Sequence, residues 1–166
     1  MAAGLSALCL GAAGEREAPG PVQDGLRLSV SLVREVVPPT FTLDVVNEGG
    51  SSRSVTVGSN DRWNVSGTLF TRDGKTHQLV RLPRVIVITG ALVPLTINTV
   101  PHVPYRVDLP LDDFELDLAS GETVKLSTLV GSGDRLLIRL HCGPLPMPPS
   151  EQGSWKGDLS SGRLTL

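Results

Sequence analysis

Aromatic residues are scarce, at 4% of the 166 residues: two Trp, one Tyr and three Phe. Any core must therefore be built mainly from aliphatic side chains. Alanine, the best helix former, is also rare. There are eight, six of them in the first 18 residues, and beyond Ala18 only Ala91 and Ala119 remain. Cysteine is limited to Cys9 and Cys142. That is too few for a disulfide framework, and too few for a structural zinc site without help from histidine. His77, His102 and His141 share no ligand spacing. No apolar run reaches the length of a membrane-spanning helix. The formal net charge of −2 leaves no basic field for nucleic acid. Hydrophobic residues at 40% and charged residues at 19% exclude a wholly disordered chain.

What remains is a strand former's composition. Valine numbers 19 and threonine 12, spread through the body of the chain, with 18 Gly and 13 Pro to turn it. β-branched side chains are stiff at χ1 and pack well on a pleated surface. Alternation of period two recurs: Leu26, Leu28, Val30 and Leu32, then Phe41, Leu43 and Val45, then Phe114, Leu116 and Leu118, then Leu136, Ile138 and Leu140. Each set predicts a strand with one buried and one wet face. Further strands are expected over 54–57, 64–71, 76–81, 85–88, the end of 91–100, 105–109 and 161–166. Turn signals stand between them at Asn47-Glu48-Gly49-Gly50, Gly58-Ser59-Asn60-Asp61, Arg72-Asp73-Gly74-Lys75 and Gly131-Ser132-Gly133-Asp134. No strand alternates with a long amphipathic helix, which excludes a parallel α/β sheet. The predicted fold is all-β, an antiparallel two-sheet sandwich or a barrel.

The N-terminus differs from the rest. Residues 1–14 are small and apolar, and Ala12 and Gly14 fit the −3 and −1 positions of a signal-peptidase site before Glu15. Residues 1–14 are therefore the candidate signal or leader segment, 15–24 a linker, and 25–166 a single β-sandwich domain. The expected location is secreted, periplasmic or in the cell envelope, with the cytoplasm as the alternative. Cys142 alternates with Leu140 and is expected to be buried and inert. A Cys9–Cys142 disulfide requires the leader to be retained.

The C-terminal third carries a resemblance. Gly121-Glu122, the strand 134–142 ending in Arg139-Leu140-His141-Cys142, a Pro-rich loop, then Trp155-Lys156-Gly157 and Leu159-Ser160-Ser161 lead into a final strand. This resembles the last strands of immunoglobulin-like sandwich domains in exported bacterial proteins, and implies an immunoglobulin-like sandwich of seven to nine strands. Leu137 and Arg163 depart from the tyrosine and asparagine common there. Strand 40–46 through Asn47, then Trp63 and Asp73-Gly74-Lys75, resembles the β-sandwich domains of bacterial proteinase inhibitors. Neither resemblance brings a catalytic residue to this chain.

Motifs for chemistry are missing. There is no Gly-x-Ser-x-Gly elbow, and Gly131-Ser132-Gly133 lacks the lysine of a phosphate loop. Asp113, Glu115 and Asp117 fall on one strand face and read as a solvated row that discourages edge pairing. Asn64-Val65-Ser66 is a formal glycosylation triplet of a kind common by chance. No catalytic, cofactor-binding or metal-ligating residue is assigned, and no cofactor. Two features are candidate recognition surface: the apolar loop Gly90, Ala91, Leu92, Val93, Pro94 and Leu95, and the aromatic pair Trp63 and Trp155. The expected function is a non-enzymatic, extracytoplasmic binding or accessory module whose partner is a protein or envelope component. A proteinase inhibitor presenting the apolar loop is the alternative.

Overall fold

The computed structural model describes residues 17–60, 62–82, 93–118, 120–143 and 154–166. Among these residues the regular structure is β-strand, apart from two short 3-10 turns at Leu111–Asp113 and Leu126–Leu129. Three antiparallel sheets form. The first orders β1 (Ala18–Pro19), β2 (Leu26–Val33), β3 (Thr40–Asn47) and β9 (Tyr105–Pro110). The second orders β11 (Thr123–Lys125), β10 (Phe114–Asp117), β7 (Thr76–Arg81), β6 (Val65–Phe70), β12 (Arg135–Cys142) and β13 (Gly157–Thr165). The third is smaller: β5 (Arg62–Trp63), β4 (Arg53–Ser59) and β8 (Pro94–Thr99). The arrangement is sandwich-like.

The described strands number thirteen, not seven to nine. Most of the excess comes from strands of two or three residues, β1, β5 and β11. Such strands exist because partners pair with them, and they are too short to show alternation in the sequence. The stretch 15–24, expected to be a linker, contains β1, which pairs with β2 through Ala18 and Val30. The strand expected over 85–88 lies outside the described residues.

The alternating residues form the core. Leu26, Leu28, Val30, Phe41, Leu43, Val45, Phe114, Leu116, Leu136, Ile138 and Leu140 are all fully buried. Phe41 of β3 meets Phe114 of β10 edge-on, with ring centroids 5.8 Å apart, and joins the first sheet to the second. The second face of β2 is not wet as its alternation predicts. Ser29 and Ser31 are buried, and the Ser29 hydroxyl has no hydrogen-bond partner.

The first and second sheets also meet where β1 crosses β13. A Cβ at Gly20 would fall 1.7 Å from the Ser160 carbonyl oxygen, and one at Gly162 would fall 2.7 Å from that of Pro19. Only glycine permits backbone to approach backbone so closely. At the same place the pairing of β12 and β13 shifts between Leu137 and Arg139, a β-bulge at Ser161 and Gly162. The Ser161 hydroxyl compensates for it. It accepts from the Ile138 N–H at 3.0 Å and donates to the Gly162 carbonyl at 2.7 Å.

Candidate functional site

Dense hydrogen bonding pins one end of the first sheet, where three turns meet. Asn47 closes β3 and is fully buried. Its Nδ2 donates to the Ser51 carbonyl at 2.8 Å and to the Thr99 carbonyl at 3.2 Å, and its Oδ1 accepts from the Gly49 N–H at 2.9 Å. Its backbone carbonyl accepts from the His102 N–H at 2.8 Å. The Asn47 side chain thus fixes the β3–β4 turn and the end of β8, and its backbone carbonyl ties in the β8–β9 turn. Such asparagine side chains mimic backbone hydrogen bonding in turns.

The turn before β2 is tied to the same end. The Glu48 N–H donates to the Gly25 carbonyl at 2.7 Å, and the Glu48 carboxylate pairs with Arg27 at 2.7 Å. Arg53 donates to the Asp24 carbonyl, and the Trp155 Nε1–H donates to the Asp24 carboxylate at 3.3 Å. Asp24 and His102 both hold positive φ, 49° and 60°, a region that Asp and His enter more readily than most residues. Left-handed residues held in place by their surroundings tend to gather where chains do their work.

Apolar side chains project from these pinned turns into solvent. Val22, Val100 and Val103 are half or more exposed, and Tyr105 is 40% exposed. Tyr105 lies with its ring 6.0 Å from that of Trp63. Rigid scaffolds that carry exposed loop side chains are the usual build of recognition surfaces.

Of the residues expected to form a recognition loop, Gly90, Ala91 and Leu92 lie outside the described residues. Val93 is 62% exposed, while Pro94 and Leu95 are half-buried at the start of β8. Trp63 is only 6% exposed and belongs to the core. Trp155 is half-buried, with its ring over the backbone at Gly157. The structure brings Trp155, through Asp24, to the Asn47 end.

The carboxylates near β10 form no common site. Asp112 accepts from the Ser127 hydroxyl at 2.5 Å, and Asp113 faces Arg81 at 3.8 Å. No group of three potential metal ligands occurs among the described residues, and no helix there is long and apolar enough to cross a membrane. Cys142 is buried, and burial, with the Asp158 charge as a smaller cause, pushes its thiol up to about 12. It is a poor nucleophile at neutral pH.

The second sheet carries an arrangement that sequence reasoning missed. Ser66 on β6, His141 on β12 and Asp158 on β13 form one hydrogen-bonded chain. The Ser66 Oγ lies 2.7 Å from His141 Nε2, and His141 Nδ1 lies 2.8 Å from Asp158 Oδ1. A carboxylate only accepts, so in the neutral imidazole Nδ1 carries the proton and Nε2 accepts from the serine. Strand pairing makes the chain: His141 sits opposite Asp158, and Arg139 sits between Ser66 and Ser160. No local motif could reveal it, because 75 residues separate Ser66 from His141.

No family model matches the chain, and neither the curated proteins nor the solved structures gave a match.

Proposed function

We propose that this chain is a binding or accessory module of the cell envelope that works by holding a partner rather than by turnover. Its recognition surface would be the end of the first sheet around Asn47. The observation that carries this reading is the pairing of opposites there. Asn47 locks the β3–β4 and β8–β9 turns, Glu48 and Arg53 tie in the turn before β2, and Val22, Val100, Val103 and Tyr105 at this end are exposed to solvent. Apolar side chains gathered on rigid turns favour a protein partner, because little entropy remains to be lost when it docks. The finer fold reading, an immunoglobulin-like sandwich, belongs to the same proposal. It is supported by the antiparallel sheets joined through Phe41 and Phe114.

Photo-crosslinking tests this. A photoreactive residue at Val103 is expected to capture the same polypeptide repeatedly in the protein's own cells, while one at Lys125 on β11 captures none. The same products from both positions, or none from Val103, would sink the reading. Extracytoplasmic placement is tested by intact mass. A chain beginning at Glu15 with one alkylatable thiol supports export, whereas one retaining Met1 or Ala2 opposes it.

The proteinase-inhibitor alternative has one observation in its favour. Exposed Val93 is clamped by Asn60, whose Oδ1 accepts from the Val93 N–H at 2.9 Å and whose N–H donates to the Val93 carbonyl at 2.8 Å. Inhibitors of the substrate-like kind need such fixed flanks. Tight inhibition of a protease, lost in Val93→Asp, would move this reading ahead.

A further inference from the structure

The Ser66–His141–Asp158 chain lies on the solvent face of the second sheet, and its chemistry is independent of any partner at the loop end. We propose that Ser66 is an acylatable nucleophile that takes a short acyl group from an activated ester, with His141 as its base and Asp158 as the residue that positions the imidazole.

The geometry supports each role. At 2.7 Å the Ser66 hydroxyl donates to His141 Nε2 along the path its proton must take. The bond from Nδ1 to Asp158 fixes the tautomer that leaves Nε2 free to accept. Ser66 and His141 are both partly open to solvent, so a donor can reach the serine. Arg139, the strand partner of Ser66, is exposed beside it and supplies a positive charge on the same face. Two residues further along β12, about 7 Å away, half-buried Leu137 offers an apolar floor on that face for a short aliphatic acyl chain.

The step balances. The Ser66 Oγ attacks the ester carbonyl carbon while its proton passes to His141 Nε2, and the carbonyl π electrons move to oxygen. Collapse of the tetrahedral adduct breaks the bond to the leaving oxygen, which departs with the electron pair and receives the proton from the imidazolium. The product is an acyl ester on Ser66, with no change of oxidation state.

The same structure says why this is an acylation site rather than a fast hydrolase. Backbone N–H groups of paired strands lie in the plane of the sheet, so they do not point at an oxyanion above the face. Loss of a single oxyanion-hole donor costs about 10²–10³ in rate in enzymes that have one. Solvent also screens the His141–Asp158 pair, in which Asp158 is 64% exposed.

The probe is p-nitrophenyl acetate added to the full chain, read by release of nitrophenolate and by peptide mapping of the acetyl group. The expected result is one acetyl per chain on Ser66, formed much faster in the native than in the urea-unfolded protein. His141→Asn is expected to slow it about 100-fold. Asp158→Asn should slow it roughly tenfold, less than for a buried triad because the pair is screened, with the melting temperature unchanged. Asp158→Glu should restore part of the rate, which a purely structural role would not. Acetyl groups on lysines or on His141 with none on Ser66, or equal rates in native and unfolded chains, would overturn the proposal. The wild-type comparison decides it even where a variant fails to fold.

Discussion

At the loop end, Asn47 is buried and both polar atoms of its side chain bond to protein. On the second sheet, Ser66, His141 and Asp158 bond to one another at similar distances, but His141 and Asp158 are open to water. The same kind of hydrogen bond therefore does different work in the two places. A buried polar group that loses its partner pays the full desolvation penalty, whereas an exposed one turns to water. The loop end should be stiff and costly to alter. The sheet face should be cheap to alter and available for chemistry.

The sharpest way to break the comparison is Asn47→Leu. It strands the carbonyls of Ser51 and Thr99 and the Gly49 N–H, and is expected to destabilise the fold by roughly 3 kcal/mol, a fall of about 10 °C in melting temperature for a chain of this size. A loss comparable to that of an exposed substitution would remove the distinction between the two regions. Next in size is Ser161→Ala, which removes the hydroxyl that receives the Ile138 N–H in the bulge. It is expected to cost about 1–2 kcal/mol by chemical denaturation.

Cys142 tests burial directly behind the His141 position. Its thiol ionises at 9.0 ordinarily and at about 12 when folded. The unfolded chain therefore releases this proton first. Its contribution is constant below pH 9, and stability falls as pH rises from 9 toward 12. Urea melts of wild type against Cys142→Ala are expected to diverge only above pH 9. The smallest effect belongs to His141→Asn, within about 1 kcal/mol of wild type while the acylation rate collapses. A large stability loss would make the serine–histidine chain structural after all.

Much of the scaffold was legible. The alternation at Leu26–Leu32, Phe41–Val45 and Leu136–Leu140 named strands and buried faces, because a side-chain period of two is a local property of extended chain. Asn47 was legible only as a turn residue. Its burial depends on Thr99, 52 residues away, and nothing nearby announces it. Trp63 and Tyr105 meet only because the third sheet folds against the first. Ser29 shows the converse. Its alternation predicts a wet face that other strands cover.

By itself the sequence determined an all-β chain, the inward residues of its longer strands, the positions of its turns, and a buried, unreactive Cys142. These follow from short-range periodicity, turn chemistry and hydrophobicity. Tertiary structure alone decided the three-sheet order, the two-residue strands, the bulge repaired by Ser161, the pinning of two turns by Asn47, and the alignment of Ser66, His141 and Asp158. Each of these depends on registers between strands distant in sequence, and register is set by the packing of the whole core.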